Sequence, residues 1–287
     1  MVLKTPRGLQ PLLDDGIIDA VMHRLQSGKE AEIFVVRRGD TLCCAKVYKD
    51  VQRRGFHRLA EYQEGRRGRG GRDARAMKRR SKRGSEVQES QWKNAEVSAL
   101  YRLAEAGVRV PEPMGVFDGV LLMERIVDAD GVTAPQLGQV EMTPEQARQW
   151  HRQLIGEIVR MLCAGLIHGD LSEYNVLVDS NGPVIIDLPQ AVDAAGNNNA
   201  FRMLARDVNN LRSTCGRFAP ELLETRYAHE IWSLYEAGEL TPEASLTGRF
   251  ELSEHDADVD AVLDDIEEAR LEAEARQRGR EDAERED

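Results

Sequence analysis

The sequence predicts an α+β fold with two consecutive parts, a β-rich first lobe that carries one helix and a mainly helical second lobe. Two patterns support this fold class. Short apolar runs separated by turn residues fill residues 20–49, as expected for consecutive strands. Apolar residues at helical spacing fill residues 143–166, and residues 198–236 look helical, with Ala219-Pro220-Glu221 as a helix start that has proline in its first turn. Hydrophobic residues make up 41% of the 287 residues, so both parts can bury a core.

The first lobe is predicted to begin with a strand, a glycine loop and a hairpin. A helix follows, in which Trp92, Ala99 and Leu103 share one face and Gly107 is a natural end. Asp118-Gly119 is a strong hairpin-turn signal, and the strand after it leads into a hinge between the lobes. The predicted elements are the strands Ile33–Val36 and Leu42–Tyr48, the helix 86–106, the strands Met114–Phe117 and Val120–Ile126, and the hinge Met123–Ile126.

The second lobe is predicted to hold a long helix, a polar loop and a short hairpin. Thr143 caps the long helix, and Pro144 and Glu145 suit its first turn. Asn181-Gly182 marks the turn of the hairpin. The predicted elements are the helix 143–166, the loop His168–Asn175, the strands Val176–Val178 and Val184–Ile186, and the helical residues 198–236.

Charge divides the chain further, because the net charge of −11 conceals two opposite segments. Residues 52–83 hold 13 Lys/Arg and 3 Asp/Glu, whereas residues 251–287 hold 16 Asp/Glu and 5 Arg. We expect a flexible Arg-rich insert at 52–85 and an acidic tail with one amphipathic helix. The predicted organisation is an N-terminal segment 1–19, a first lobe 20–125, a second lobe 126–250 and a tail 251–287.

Several classes of protein are disfavoured. No apolar run reaches the about 18 residues of a membrane span, and no secretion signal follows Met1, so we expect a cytoplasmic protein without a membrane partner. The cysteines have neither metal nor disulfide spacing, which predicts reduced thiols. The neighbours Cys43 and Cys44 should point to opposite faces of one strand.

The strongest chemical signal is the loop His168–Asn175, whose sequence is HGDLSEYN, followed by Asp187 after the short hairpin. Phosphoryl transfer needs a carboxylate near the attacking hydroxyl and metal-bound phosphates. Asp170 and Asn175 have the spacing of a kinase catalytic loop. The hairpin should return Asp187 to the side of Asn175, where both can bind Mg²⁺ through oxygen. We predict Asp170 as the catalytic carboxylate, and Asn175 and Asp187 as metal ligands.

A second signal is a pair of opposite charges, Lys46 and Glu96, each predicted to lie on a buried face. Lys46 lies among apolar neighbours on a predicted strand, and Glu96 is the only charge on the apolar stripe of the predicted helix. A charge on a buried face requires a partner. Such a pair holds the nucleotide phosphates in kinases, so we predict that Lys46 and Glu96 bind ATP together.

A third signal is the turn Ser27-Gly28-Lys29-Glu30-Ala31 between two strands. Glycine lets backbone N–H groups approach phosphate, and a neighbouring Lys adds a cation. The turn precedes Lys46, where a phosphate-binding loop belongs. The predicted nucleotide contacts are therefore Ser27, Gly28 and Lys29 in the turn and Met123, Glu124 and Ile126 in the hinge.

Taken together, these strings resemble the RIO family of atypical serine/threonine protein kinases, and more closely its bacterial members, over roughly residues 20–240. The residues that carry the resemblance are Ser27–Ala31, Ala45–Lys49, Arg54–Phe56, Trp92–Glu96, Val110–Pro113, Met123-Glu124, His168–Val178 and Ile185–Gln190. Two departures from ordinary kinases are informative. Gly169 replaces an Arg that grips an activation-loop phosphate, and Pro189 replaces a Gly that follows the metal-binding Asp.

The resemblance implies a trimmed kinase fold without a true activation loop. It also implies serine/threonine kinase or ATPase activity with ATP and Mg²⁺, or Mn²⁺ in its place, and with an unknown protein substrate. Asp187 would be a metal ligand that can also accept phosphate as a phosphoaspartate. Archaeal and eukaryotic members act in maturation of the small ribosomal subunit, so a link to the ribosome or RNA is implied.

Two other functions remain open at this point. The string His168-Gly169-Asp170 also matches small-molecule kinases of the aminoglycoside-phosphotransferase type, although the turn at Gly28 and the residues Ser172–Tyr174 argue against them. A ribosome- or RNA-binding factor that ATP only switches between conformations is the other possibility. The Arg-rich insert 52–85 favours it, through contacts with the phosphate backbone.

Overall fold

The computed structural model describes residues 5–28, 31–49 and 95–251. The whole Arg-rich insert 52–85, the acidic tail after Glu251, Lys29 and the predicted helical residues before Ala95 lie outside the described residues. The described strands are β1 (Ala20–Ser27), β2 (Ala31–Arg38), β3 (Thr41–Tyr48), β4 (Pro113–Phe117), β5 (Val120–Glu124), β6 (Leu166–Ile167), β7 (Val176–Asp179), β8 (Gly182–Ile185) and β9 (Val192–Asp193). The described helices are α1 (Gln10–Asp14), α2 (residues 95–105), α3 (Pro144–Cys163), α4 (Ala200–Gly216) and α5 (Tyr227–Glu236), with short 3₁₀ turns at Arg7–Leu9, Leu137–Gln139 and Pro220–Glu224.

The first lobe is a five-stranded antiparallel sheet in the order β1-β2-β3-β5-β4. Its β4–β5 turn is the predicted Asp118-Gly119 pair, in which both residues have positive φ, 47° and 77°. This is the backbone that a two-residue hairpin turn requires. Alternation along β3 sends Cys43 into the core of the sheet and Cys44 to the opposite face, as predicted.

Part of the N-terminal segment 1–19 packs on the sheet. Leu9, Leu12 and Ile18 are completely or almost completely buried and share one hydrophobic cluster with Phe34 and Val36 of β2. The apolar residues around α1 therefore close one face of the sheet. We define the sheet lobe as β1–β5 together with residues 7–18.

The second lobe packs α3, α4 and α5 around one large core, with the hairpin β7–β8 at its edge. The predicted cap at Thr143 is confirmed, because its hydroxyl accepts a hydrogen bond from the Gln146 amide at 3.2 Å. The expected hairpin is also present, and its Asn181-Gly182 turn is closed by the Asp179 carboxylate, which accepts from both amides. We call this part the helical lobe.

Residues 198–236 are largely helical as predicted, but the helix start expected at Ala219-Pro220-Glu221 is only a 3₁₀ segment. The helix breaks after Gly216, because Ala219 is extended, with φ −135° and ψ 83°, and Pro220 cannot donate a backbone hydrogen bond. The chain turns there through the 3₁₀ segment Pro220–Glu224 before α5 begins. Two helices result, and α4 is the one that faces the predicted catalytic loop.

Helix α2 carries Glu96, which pairs with Lys46 of the sheet lobe, but the helix packs against the helical lobe. Its residues Ala99, Leu100 and Leu103 belong to the same hydrophobic cluster as Leu154 and Ile158 of α3. The residues after α2 return to the sheet through Pro113, the first residue of β4. Among the described helices, none combines the length and the apolar character that crossing a membrane requires.

Candidate active site

A cleft of about 640 Å³ lies between the two lobes. Its size is typical of a pocket for a ligand as large as a nucleotide. The β1–β2 turn and β3 form its roof, the residues after β5 form its back edge, and the hairpin β7–β8 with the residues around it forms its floor. Predicted site residues that line it are Gly28, Lys46, Glu96, Met123, Glu124, Ile126, Asn175 and Asp187.

The predicted pair of Lys46 and Glu96 is present at the base of the cleft. Lys46 Nζ lies 2.5 Å from Glu96 Oε1 and 3.0 Å from Asp187 Oδ1. The side chains of Lys46 and Glu96 are only 9% and 7% exposed, and the ring of Tyr48 flanks the ammonium group at 5.8 Å. Burial alone would lower the pKa of Lys46, but the carboxylates of Glu96 and Asp187 outweigh it and raise that pKa above its ordinary value. Lys46 is thus a fixed cation.

Asp187 occupies an unusual backbone conformation. Its φ is 66°, in the left-handed region that side chains other than glycine rarely adopt, although Asp tolerates it better than most. Its side chain stays 47% exposed, in contrast to the buried Lys46 and Glu96. The carboxylate therefore touches Lys46 and also faces the open cleft.

Asn175 and Asp187 both line the cleft, whereas the predicted residues Asp170 and Ser27 are not among its lining residues, and Asp170 is linked to the cleft through Asn175. Asn175 Nδ2 donates to the carbonyl of Asp170 at 2.8 Å, and the carbonyl of Asn175 accepts from the amide of Ile186 at 2.9 Å. These two bonds tie the catalytic loop to the residue that precedes Asp187. Because the amide nitrogen of Asn175 is engaged, its amide oxygen is the atom suited to a cation.

The donor set fits a magnesium ion. Mg²⁺ usually takes one or two carboxylate or amide oxygens from the protein and completes its octahedron with water and phosphate. Asn175 and Asp187 supply two such oxygens beside Lys46, which would bind the same phosphates. No group of three or more His, Cys, Asp or Glu side chains capable of holding a metal occurs in residues 5–28, 31–49 and 95–251.

Two side chains fix the catalytic loop from within the helical lobe, and one of them was missed. His168 was part of the predicted string, and its Nε2 lies 3.0 Å from the carbonyl of Ile186. Asp207 of α4 was not predicted. Its two oxygens accept from the amides of Gly169 at 2.8 Å and Leu171 at 2.9 Å, on either side of Asp170. Asp207 is thus a positioning residue for Asp170.

Asp207 is 2% exposed, and its burial raises the pKa to about 6. Sequence patterns did contain a signal for it. Met203, Leu204, Val208 and Leu211 form the buried stripe of α4, and Asp207 lies within that stripe. The argument that identified Glu96, a charge on an apolar helical face, applies equally here.

The hinge is tied to both lobes by Arg109, which the sequence analysis also missed. The guanidinium of Arg109 binds both oxygens of Glu124, at 2.8 and 3.0 Å, and Asp179 of the hairpin at 2.8 Å. The amide of Arg109 donates to buried Glu157 of α3 at 3.0 Å. The carboxylate of Glu124 is therefore held by Arg109 at the edge of the cleft. Sequence offers no signal for this, since neither periodicity nor a motif marks Arg109.

The β1–β2 turn is held by a residue outside the predicted motif. Lys49 Nζ donates to the carbonyl of Gly28 at 2.8 Å and to the hydroxyl of Ser27 at 3.0 Å. The turn itself is closed by a bond from the amide of Gly28 to the carbonyl of Ala31 at 3.0 Å. Lys29, the predicted cation of this turn, is outside the described residues.

Comparison with known proteins gives a consistent result. The family model of the RIO domain matches residues 32–228. A relative named RIO-type serine/threonine-protein kinase Rio1, from Haloferax volcanii, is 36% identical over 202 residues, which are 70% of this chain and 64% of the relative. Another of that name, from Methanocaldococcus jannaschii, is 30% identical over 207 residues, 71% of this chain and 64% of the relative. The human serine/threonine-protein kinase RIO1 is 32% identical over 141 residues, 49% of this chain and 24% of its own. The chain spans less than two thirds of the length of these relatives.

Proposed function

The chain belongs to the RIO domain family, and from this premise we propose that it is an ATP- and Mg²⁺-dependent serine/threonine kinase or ATPase that works in the cleft between its lobes. One observation carries the proposal. A buried Lys46 is held between Glu96 and Asp187, and Asn175 bonds both to the carbonyl of Asp170 and to the amide of Ile186, the residue before Asp187. Cation, metal-binding oxygens and catalytic carboxylate are the parts that phosphoryl transfer requires.

Each side chain has a role in this proposal. Lys46 binds the phosphates of ATP, and Glu96 keeps it in place. Asn175 and Asp187 would hold Mg²⁺, which when bound neutralises charge on the transferred phosphoryl group. The turn at Ser27 and Gly28 covers the phosphates, while Met123, Glu124 and Ile126 contact the base.

Asp170 would orient the attacking hydroxyl and receive its proton. The hydroxyl oxygen of a Ser or Thr forms a bond to the γ-phosphorus, and the bond from that phosphorus to the bridging oxygen of ADP breaks. The proton passes to the Asp170 carboxylate. With water in place of the protein hydroxyl, the same steps release inorganic phosphate.

Finer features of the function follow from the family rather than from the described residues. Asp187 faces the cleft and is expected to accept phosphate as a mixed anhydride in a fraction of the protein. Mn²⁺ is expected to replace Mg²⁺. The Arg-rich insert 52–85 is the expected contact with RNA or a ribosomal subunit, and a cytoplasmic location fits such partners. Both archaeal relatives are named serine/threonine-protein kinases, which favours a protein substrate over an aminoglycoside.

The test is incubation of the full chain with γ-labelled ATP and Mg²⁺, scoring free phosphate, labelled chain and labelled added protein. We expect label release or transfer that EDTA abolishes. Asp170→Ala should lose about 10²–10⁴ in rate, the usual contribution of a positioned base, with ATP binding retained. Hydroxylamine should remove label on Asp187 and leave label on Ser or Thr.

Two results would count against the proposal. Unchanged turnover in Asp170→Ala at saturating ATP would remove Asp170 from the reaction. Absence of ATP binding by the wild-type chain would reject the whole assignment. Glu221→Gln, which alters a surface carboxylate paired with Arg148, serves as a control for loss of a carboxylate.

A further inference from the structure

Arg125 lies in the hinge, between two of the proposed contacts with the base, and lines the cleft. Successive side chains of a strand point to opposite sides. Leu121 and Met123 of β5 line the cleft, and Arg125 continues the same series just beyond the end of the strand. The side chain of Glu124, in between, pairs with Arg109 instead. Arg125 therefore brings a positive charge to the hinge side of the cleft.

The guanidinium of Arg125 has few partners in the described part of the chain. Its Nη2 donates to the hydroxyl of Thr133 at 3.3 Å, and it forms no ion pair with a carboxylate of the described residues. Its Nε is buried and meets no acceptor there. A guanidinium carries five N–H donors, and a half-buried charge without a counterpart is costly. The remaining donors of Arg125 lack protein acceptors, and a ligand in the cleft can supply them.

The position of this guanidinium is fixed by the loop that follows the hinge. The carbonyl of Ile126 accepts from the amide of Ala134 at 3.1 Å, and Val127 forms an antiparallel bridge with Thr133. Thr133 and Ala134 also line the cleft. The hydroxyl that holds Nη2 thus belongs to a loop that is bonded to the hinge through its backbone. The donors of Arg125 are therefore in place before a ligand arrives.

The part of a nucleotide that Arg125 would meet is the base. Leu121 is the partner of Lys46 in the ladder of β3 and β5, and Arg125 follows four residues later, about 13 Å along the strand direction. The phosphates belong beside Lys46. Purine bases differ at C6, where adenine carries an amino donor and guanine a carbonyl acceptor. Because a guanidinium only donates, it favours the carbonyl.

We propose that Arg125 contacts the C6 side of the base and that the cleft accepts 6-oxopurine nucleotides, GTP among them, in addition to ATP. The inference rests on the proposed function, because it needs a nucleotide whose base lies against the hinge. Guanine and hypoxanthine both offer O6 and N7 to the forked donors of an Arg. Adenine offers N7 alone and places an amino group opposite the remaining donor.

The experiment measures the affinities of ADP, GDP and IDP for the full chain by calorimetry with Mg²⁺ present. Wild type should bind all three within about tenfold of one another. Arg125→Met keeps an unbranched apolar stem and removes every donor. It should weaken GDP and IDP about tenfold, which corresponds to about 1.4 kcal/mol, and leave ADP within about twofold. Arg38→Met makes the same change at an exposed Arg over the Phe117 ring, and this control should bind as wild type does.

The outcomes separate this inference from the proposed function. A wild-type chain that binds ADP but neither GDP nor IDP overturns the inference and leaves the proposed function intact. Equal weakening of all three ligands by Arg125→Met would mean that Arg125 only shapes the hinge, and no weakening of any would mean that it does not touch the base; either result overturns the inference. A wild-type chain that binds none of the three overturns the proposed function and the inference together. Weakening confined to GDP and IDP supports both, and the retained affinity for ADP shows that the variant is folded.

Discussion

At the scale of single residues, the cleft is organised by charges that have been removed from water. Lys46 and Glu96 are both buried, and neither would be tolerated there alone. Removal of one partner from a buried pair leaves an uncompensated charge, which is more damaging than loss of the bond itself. Asp187 provides Lys46 with a second carboxylate, so Glu96 is the partner whose loss the structure can best survive.

We therefore expect unequal and coupled effects from the two substitutions. Lys46→Ala should raise the KM for ATP and lower kcat strongly, and Glu96→Gln should do the same more weakly. The double variant should fall short of the sum of the single effects by about 1–3 kcal/mol in kcat/KM. Steady-state kinetics of all four proteins complete the cycle. Strict additivity would mean that the contact has no role in turnover.

Asp207 gives the activity a pH dependence. Its pKa is raised from the ordinary value of 3.8 to about 6, because the folded protein buries it. Protonation would place an O–H opposite the amide of Gly169 or Leu171 and loosen the catalytic loop. We expect kcat to fall as the pH drops through about 6. In Asp207→Asn, kcat should be low at every pH and this titration should disappear from a pH profile.

Protonation of Asp207 is expected to lower kcat but to raise the free energy of unfolding. Because the folded state has the higher pKa, it binds the proton more tightly than the unfolded chain does. The contribution of Asp207 to the free energy of unfolding therefore decreases as the pH rises from about 4 to about 6. Urea titrations of wild type and Asp207→Asn across this range measure the difference. A pH profile of kcat with the same limb in both proteins would exclude Asp207 as its source.

At the scale of elements, Arg109 connects three of them. Its guanidinium joins Glu124 at the end of β5 to Asp179 at the end of β7, and its backbone amide binds Glu157 of α3. The hairpin β7–β8 leads to Asp187, and the end of β5 borders the hinge. The spacing between the proposed base-binding and metal-binding parts of the cleft therefore depends on one side chain.

Arg109→Gln should raise the KM for ATP and reduce kcat/KM about five- to tenfold, because charge-assisted bonds contribute about 1.5–3 kcal/mol each and these are partly exposed. Binding of adenosine without metal should change little, since the contacts with the base remain. Arg148→Gln, which breaks a surface pair with Glu221, is the control. Equal losses for adenosine and MgATP would indicate a general structural role instead.

The sequence predicted the elements whose signals are local. The Asp118-Gly119 turn, the cap at Thr143 and the hairpin around Gly182 each depend on neighbouring residues, and each was found. The Lys46–Glu96 pair was also predictable, because each charge stood out on an apolar face. Asp207 carried the same signal, a charge within the apolar stripe of a helix, and was overlooked, whereas no local pattern marks Arg109, whose partners only the folded protein reveals. The helix start predicted at Pro220 is a short 3₁₀ segment, and the next α-helix begins only at Tyr227.

At the scale of the whole molecule, the lobes meet through charged contacts at the cleft and through apolar contacts at β5. Lys46 of β3 reaches Asp187, and Arg109 joins Glu124 to Asp179. The sheet has a hydrophobic cluster of its own around Leu9 and Phe34, whereas Leu121 of β5 belongs to the cluster of the helical lobe. The sheet is therefore anchored to the helical lobe along β5, and we expect any opening of the cleft for nucleotide to leave this contact in place.

The packing of α2 on the helical lobe has a consequence for hydrogen exchange. Ala99 and Leu103 share a core with α3, although Glu96 on the same helix pairs with Lys46 of the sheet. Amides that open in one cooperative unit exchange with one free energy. We expect the amides of residues 99–105 to exchange at the rate of those in α3, and not at the rate of those in β1 and β2. Mass spectrometry of peptides from these segments measures the exchange rates. MgATP should slow exchange in residues 99–105 and in α3 together. If α2 exchanged at the rate of the strands, Lys46 and Glu96 would stay paired whenever the lobes separate. If α2 exchanges at the rate of α3, each separation of the lobes breaks that pair and resets the enzyme for the next nucleotide.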